Sequence, residues 1–145
     1  MTEPAFLFAW NPVKYQWPEL RERMTALKHG ERVTEDWSCA SKKVKPGNRA
    51  FLSLVGVAQR GIFASGYISS ELFLGKSHRG KMANRVMIDF DTLLDPNTQP
   101  ILSLDLLRLG ALDKQLWTPQ ASGISIKPEL LPELEAVWKD FLANS

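Results

Sequence analysis

The sequence predicts an α+β domain, a small mixed barrel with helices packed on its outside. Three observations lead there. Short apolar runs are bounded by turn signals, and two stretches of helical periodicity fall between the first strands and at the chain's end. The length of 145 residues suits one well-buried core, so residues 1–145 are read as a single domain.

Phe6 to Trp10 is an apolar run closed by Asn11-Pro12, which reads as a buried first strand with Trp10 at its exit. From Glu19 to His29, Leu20, Met24 and Leu27 recur at steps of four and three. Glu19, Arg21, Glu22 and Arg23 fall elsewhere around the wheel, which gives an amphipathic helix that Pro18 suits at its start and Gly30 stops. Pro46-Gly47-Asn48 is a turn signal; Ala50 to Val57 and Ile62 to Ser70 then form a hairpin with its tip at Gln59-Arg60-Gly61. Gly75 to Asn84 is glycine-rich and basic and reads as a mobile loop, followed by a strand over Val86 to Phe90. Ser103 is placed to cap a short leucine-rich helix that Gly110 ends. Leu130, Leu134, Val137, Trp138 and Phe141 give the terminal helix its apolar face, with Pro128 at its start.

Composition narrows the function classes. Apolar residues make up 44% and charged residues 23%, which argues against disorder or a fibrous repeat. No long apolar run or signal-peptide pattern is present, so a cytoplasmic protein without membrane contact is expected. Cys39 alone makes no internal disulfide, and His29 and His78 supply no zinc-like ligand set. No metal and no cofactor are expected. Phosphate-loop, nucleophile-elbow and zinc-protease motifs are absent, so no catalytic residues are assigned. Cys39 reads as a small core residue, and Asp89 and Asp91, two apart on a strand, as a solvent face.

The net charge of +2 conceals segregation. Between Trp37 and Arg85 stand nine cations and one acid, a local charge of +8, which leaves −6 for the rest. Such a basic segment beside aromatics is the electrostatic footprint of a nucleic-acid binder. Of the five tryptophans, Trp138 has core spacing and Trp17 sits at a helix start, whereas Trp10, Trp37 and Trp117 lie beside short polar residues and chain breaks. Flat rings with hydrogen-bonding neighbours are what a planar base requires.

The run Trp10-Asn11, Trp37-Ser38, Gly47-Asn48-Arg49-Ala50-Phe51, Gly61-Ile62-Phe63-Ala64-Ser65-Gly66 and Trp117-x-x-Gln120-x-Ser122-Gly123-Ile124-x-Ile126 resembles the EVE domain of the PUA-like superfamily, relatives of the YTH readers of methylated adenine. The likeness spans nearly the whole chain. It implies a PUA-like barrel that holds a modified base, flipped from its strand, in an aromatic pocket, and a partner nuclease or modification enzyme. Carried over by position, Trp37 and Trp117 become the cage walls, Trp10 the rim, and Asn11, Ser38, Gln120 and Ser122 the readers of the base edge. Asn48 stands where many relatives have Asp, a change a turn tolerates, and the nuclease region of several relatives is missing.

Stacking contributes about 1–3 kcal/mol per base, and extrusion from a duplex costs a few, so the pocket alone breaks even. Net affinity then has to come from phosphate contacts, for which Lys42, Lys43 and Lys45 near Trp37, and Arg79, Lys81 and Arg85 on the basic loop, are the candidates. The expectation is a non-catalytic module that reads a modified base in DNA or RNA. The alternative is a small-molecule or partner-protein module using the same pocket and basic surface.

Overall fold

The computed structural model describes residues 4–77 and 80–144. β1 (Ala5–Trp10) emerges from the first apolar run, and the charged periodic stretch becomes α1 (Leu20–Lys28). β2 (Thr34–Ser38) follows, then β3 (Arg49–Leu54) and β4 (Gly61–Ile68). β5 (Phe73–Lys76) and β6 (Met82–Leu93) make a second hairpin. Beyond it come β7 (Leu102–Ser103), α2 (Leu104–Leu107), a 3₁₀ turn over Gly110–Lys114, β8 (Ile124–Ile126) and α3 (Leu131–Ala143). The described residues thus form a mixed α+β fold, with one sheet and three α-helices.

Strand order in the eight-stranded sheet is β2-β6-β4-β3-β1-β8, with β5 and β7 extending it beside β6 and β4. β1 and β3 run parallel, Ala5 opposite Arg49 through Trp10 opposite Leu54; the remaining pairings are antiparallel. This central pair explains the unbroken apolar runs. Every residue of β3 and all but Ala9 of β1 is buried, as happens when both faces of a strand are covered. Two β-bulges bend the sheet, leaving Phe63 on β4 and Asp91 on β6 without direct opposites.

The outer strands β2 and β8 do not pair as a ladder. Beyond them the chain makes two backbone bonds, from Ala40 N–H to Ser122 O at 2.8 Å and from Ser41 N–H to Gly123 O at 3.0 Å. Gly123 makes this approach feasible: its φ is +84°, and a Cβ there would lie 2.7 Å from the Cys39 Cα.

Two expectations need correction here. The basic stretch 75–84 is not a loop throughout, because Phe73–Lys76 pairs with Met82–Arg85 in a hairpin. Leu74 and Met82 are exposed on it, so no alternation between core and solvent marks these strands. β6 accordingly begins at Met82 rather than Val86. β2 went unread for a related reason: in Thr-Glu-Asp-Trp-Ser only Trp37 is buried. Ser103 caps α2 as expected, its Oγ accepting the Leu106 N–H. Among the described residues no helix is long and apolar enough to cross a membrane.

α3 is fixed to the sheet by a polar network under an aromatic contact. The Arg49 guanidinium gives two bonds to Glu135, at 2.8 and 3.1 Å, one to Asp91 at 2.7 Å and one to Gly66 O. Asp91 also accepts the Ser65 hydroxyl, which itself accepts the Trp138 indole N–H at 2.9 Å. Burial alone would lower the Arg49 pKa, but Glu135 and Asp91 outweigh it and hold it above its ordinary value.

Candidate functional site

The exits of β1 and β2, the segment 118–122 and the β5–β6 hairpin surround a cleft of about 1150 Å³. Its size lies somewhat above the usual range of about 300–1,000 Å³ for small-ligand pockets. Trp10 and Trp37 form part of its lining, each locked by its indole N–H. Trp10 donates to Tyr15 O at 2.8 Å and Trp37 to Ala9 O at 2.9 Å. Only 5% of Trp10 and 6% of Trp37 is exposed, so they close the floor rather than stand as free walls. Tyr15 lies edge-on to Trp37, with ring centres 5.9 Å apart, and Trp17 packs behind both indoles at 5.7 and 5.2 Å. Burial, with help from Glu35, pushes the Tyr15 phenol above its ordinary pKa and keeps it neutral. Among the described residues the buried Trp17 indole N–H has no hydrogen-bond partner, a condition that costs about 1–3 kcal/mol.

The polar groups on this floor favour donation. Ser38 Oγ accepts from Arg85 at 2.8 Å and Ser122 Oγ from the Ala9 N–H at 3.0 Å, which leaves each hydroxyl proton for another acceptor. Asn11 Oδ1 accepts the Val13 N–H, turning the chain after β1 and leaving its amide N–H₂ over Gly56. Gly56, at φ +76°, is needed there: a Cβ would fall 2.2 Å from the Asn11 nitrogen. Gln120 is exposed at the cleft beside buried Pro119.

Charge completes the picture. Lys14, Arg60, Lys76, Lys81 and Arg85 line the cleft, and Asp36 is the carboxylate among the lining residues. Arg85 and Asp36 neutralise each other through a 2.6 Å bond, whereas no ion pair among the described residues involves Lys14, Arg60, Lys76 or Lys81. The packing of Gly56 on Asn11 brings the β3–β4 turn, with Arg60, beside the segment that carries Lys14. The Cys39 N–H donates to Asn84 O at 2.9 Å and seats the hairpin bearing Lys76 and Lys81 beside the exit of β2.

Of the pocket residues named from the sequence, Trp10, Asn11, Trp37, Ser38, Gln120 and Ser122 line one cleft, while Trp117 does not. Trp117 is 2% exposed; its indole N–H is bound by Leu112 O at 2.8 Å and its carbonyl by the Ser53 hydroxyl. It is a core residue that anchors the segment 118–122. Four of the phosphate candidates also need revising. Lys42, Lys43 and Lys45 are exposed but lie outside the cleft, because the chain turns away once Ala40 and Ser41 have bonded to Ser122 and Gly123. Arg85 is buried and spends three donors on Asp36 and Ser38, so it orders the wall rather than offering a charge. Lys81 does line the cleft, and Arg79 lies outside the described residues. Sequence reasoning missed Lys14, Tyr15, Arg60 and Lys76 as cleft residues. Lys14 and Tyr15 follow the Trp10-Asn11 pair closely enough to have been suspected.

Residues of other chemistries are engaged elsewhere. Burial pushes the Cys39 thiol up in pKa, away from the thiolate a nucleophile requires. Asp89 accepts from Arg32 and Thr34, and Asp91 from Arg49 and Ser65.

No family model matches the sequence, and no curated protein matches it. Among solved structures, a hypothetical protein from Leishmania major aligns at 10% identity over 97% of each chain with a TM-score of 0.63. A Pseudomonas putida protein aligns at 14% identity over 92% of this chain and 98% of that one, with a TM-score of 0.60. A Pseudomonas syringae protein does so at 12% identity with the same coverage and a TM-score of 0.59. At these identities the likeness is one of fold, and it spans nearly the whole chain.

Proposed function

We propose that this protein is a non-catalytic nucleic-acid-binding module of the EVE type, acting in the cytoplasm, whose sheet is the PUA-like barrel variant joined through 40–41 and 122–123. A single unpaired base, modified in the natural target, sits on the floor of Trp10, Tyr15 and Trp37. Phosphates on either side of it meet Lys14, Arg60, Lys76 and Lys81.

The observation that carries this reading is the juxtaposition of an aromatic floor with four cations that no ion pair among the described residues engages. The energetics support it. Two indoles so fully covered present little face, so stacking falls toward the lower end of about 1–3 kcal/mol per base. Most of the affinity is then electrostatic. Donors from Ser38, Ser122 and Asn11 favour a base edge rich in acceptors, and each lost bond to such an edge costs about 1–3 kcal/mol. A lone methyl mark is worth about 0.8 kcal/mol, so discrimination of a modification rests on shape and on these donors.

The test is a titration of single-stranded DNA and RNA oligonucleotides, with and without base modifications, at two salt concentrations, followed by tryptophan fluorescence. Quenching that saturates, weakens with salt and is lost when Lys14, Arg60, Lys76 and Lys81 are all changed to Ala supports the proposal. Binding that this variant retains in full would overturn it.

A further inference from the structure

A second concavity shares no lining residue with the cleft. α2, the 3₁₀ turn and α3 leave between them a groove of about 550 Å³. Its depth is apolar: Leu102 and Leu112 are fully buried, and Val137 and Phe141 contribute from α3. Leu106 and Leu109 line it yet remain 46% and 62% exposed. Two leucines so open beside an apolar floor form a contiguous patch, the kind that marks a contact surface.

The charges of the groove are of one sign. Glu133, Val137, Asp140 and Phe141 occupy positions i, i+4, i+7 and i+8 of α3, a single helical face on which carboxylates alternate with apolar side chains. Among the described residues no Lys or Arg lines the groove, and neither Glu133 nor Asp140 enters an ion pair. Seven residues at 1.5 Å each place the two carboxylates about 10 Å apart along the helix axis. The groove therefore opposes the cleft in charge.

We infer that this groove docks a cationic amphipathic helix of a partner protein. Its apolar side chains fill the space between Leu106, Leu109, Val137 and Phe141. Lys or Arg residues two turns apart on the partner pair with Glu133 and Asp140, since a helix lying along α3 repeats the same rise. The inference is independent of any nucleic-acid role for the cleft.

The experiment uses the full chain and a fluorophore-labelled synthetic helical peptide with leucines at i, i+3, i+4 and i+7 and lysines beside them. Controls are the same peptide with every Lys replaced by Glu, and a scrambled version. Saturable anisotropy with the Lys peptide alone is expected. Leu106→Ser with Leu109→Ser should weaken it roughly tenfold or more, and Glu133→Gln with Asp140→Asn a few-fold, with a flatter salt dependence. These four side chains face the groove from the surface, and an unchanged thermal midpoint shows that each variant is folded. Equal binding of the Glu or scrambled peptide, or full binding by the leucine variant, overturns the inference. So does concentration-dependent self-association that Leu106→Ser abolishes, because the groove then belongs to a second copy.

Discussion

Arg49 and the cleft cations are built from the same materials and do opposite things. Arg49 lies between Phe51 and Tyr67, 4.8 Å from each ring centre, and its charge is met by Glu135 and Asp91. Lys14, Arg60, Lys76 and Lys81 stand near Trp10, Tyr15 and Trp37 without an ion pair among the described residues. A cation beside an aromatic ring is thus no indicator of a binding site. What separates the two regions is whether the charge is answered from within the molecule. Arg85 makes the point inside the cleft itself, where Asp36 converts it from a ligand group into a strut.

The sharpest way to break this comparison starts with the core. Trp117→Ala should destabilise the protein by about 3–5 kcal/mol in urea unfolding, because it empties a buried indole site and frees the Leu112 carbonyl. Had Trp117 been a pocket wall, the cost would be small and the binding loss large. Arg49→Ala should cost about 2–4 kcal/mol by the same measurement. The exposed sides of Asp91 and Glu135 moderate the penalty, and oligonucleotide affinity per folded molecule should not change.

The combined change of Lys14, Arg60, Lys76 and Lys81 to Ala should reverse that pattern. Stability stays within about 1 kcal/mol, as for surface positions generally, while the slope of log K against log salt for a single strand becomes shallower by about 3. Altering Lys42, Lys43 and Lys45 instead should leave most of that slope in place, since they lie outside the cleft.

The smallest effect concerns acid. Burial pushes the Asp89 carboxyl up, but hydrogen bonds from Thr34, Arg32 and Ser69 outweigh it and leave its pKa below the ordinary value. A carboxyl depressed by folding contributes stability above its unfolded pKa of about 4 and loses it as pH falls through the folded value. The thermal midpoint of Asp89→Asn should therefore fall less steeply than that of the natural chain over this acidic range.

Much of the architecture was legible in residues whose local pattern and final environment agree. The apolar runs of β1 and β3, the four-and-three spacing of α1 and the Ser103 cap all report nearest-neighbour physics. β2 and the β5–β6 hairpin were illegible because polar edge strands and exposed hairpins owe their form to pairing, which leaves no periodic trace. The tryptophans divide the same way. Trp10, Trp37 and Trp117 share one local signature, an indole followed by small polar residues, yet two line a cleft and one is sealed in the core.

The sequence by itself determined that this chain forms an α+β domain around a large apolar core and that its positive charge is concentrated in its middle third. Only the tertiary structure decided which cations remain open and which are answered. Ion pairing depends on distances of a few ångströms between residues tens of positions apart: Arg85 meets Asp36 only after β6 and β2 have paired, and Arg49 meets Glu135 only after α3 has packed on the sheet.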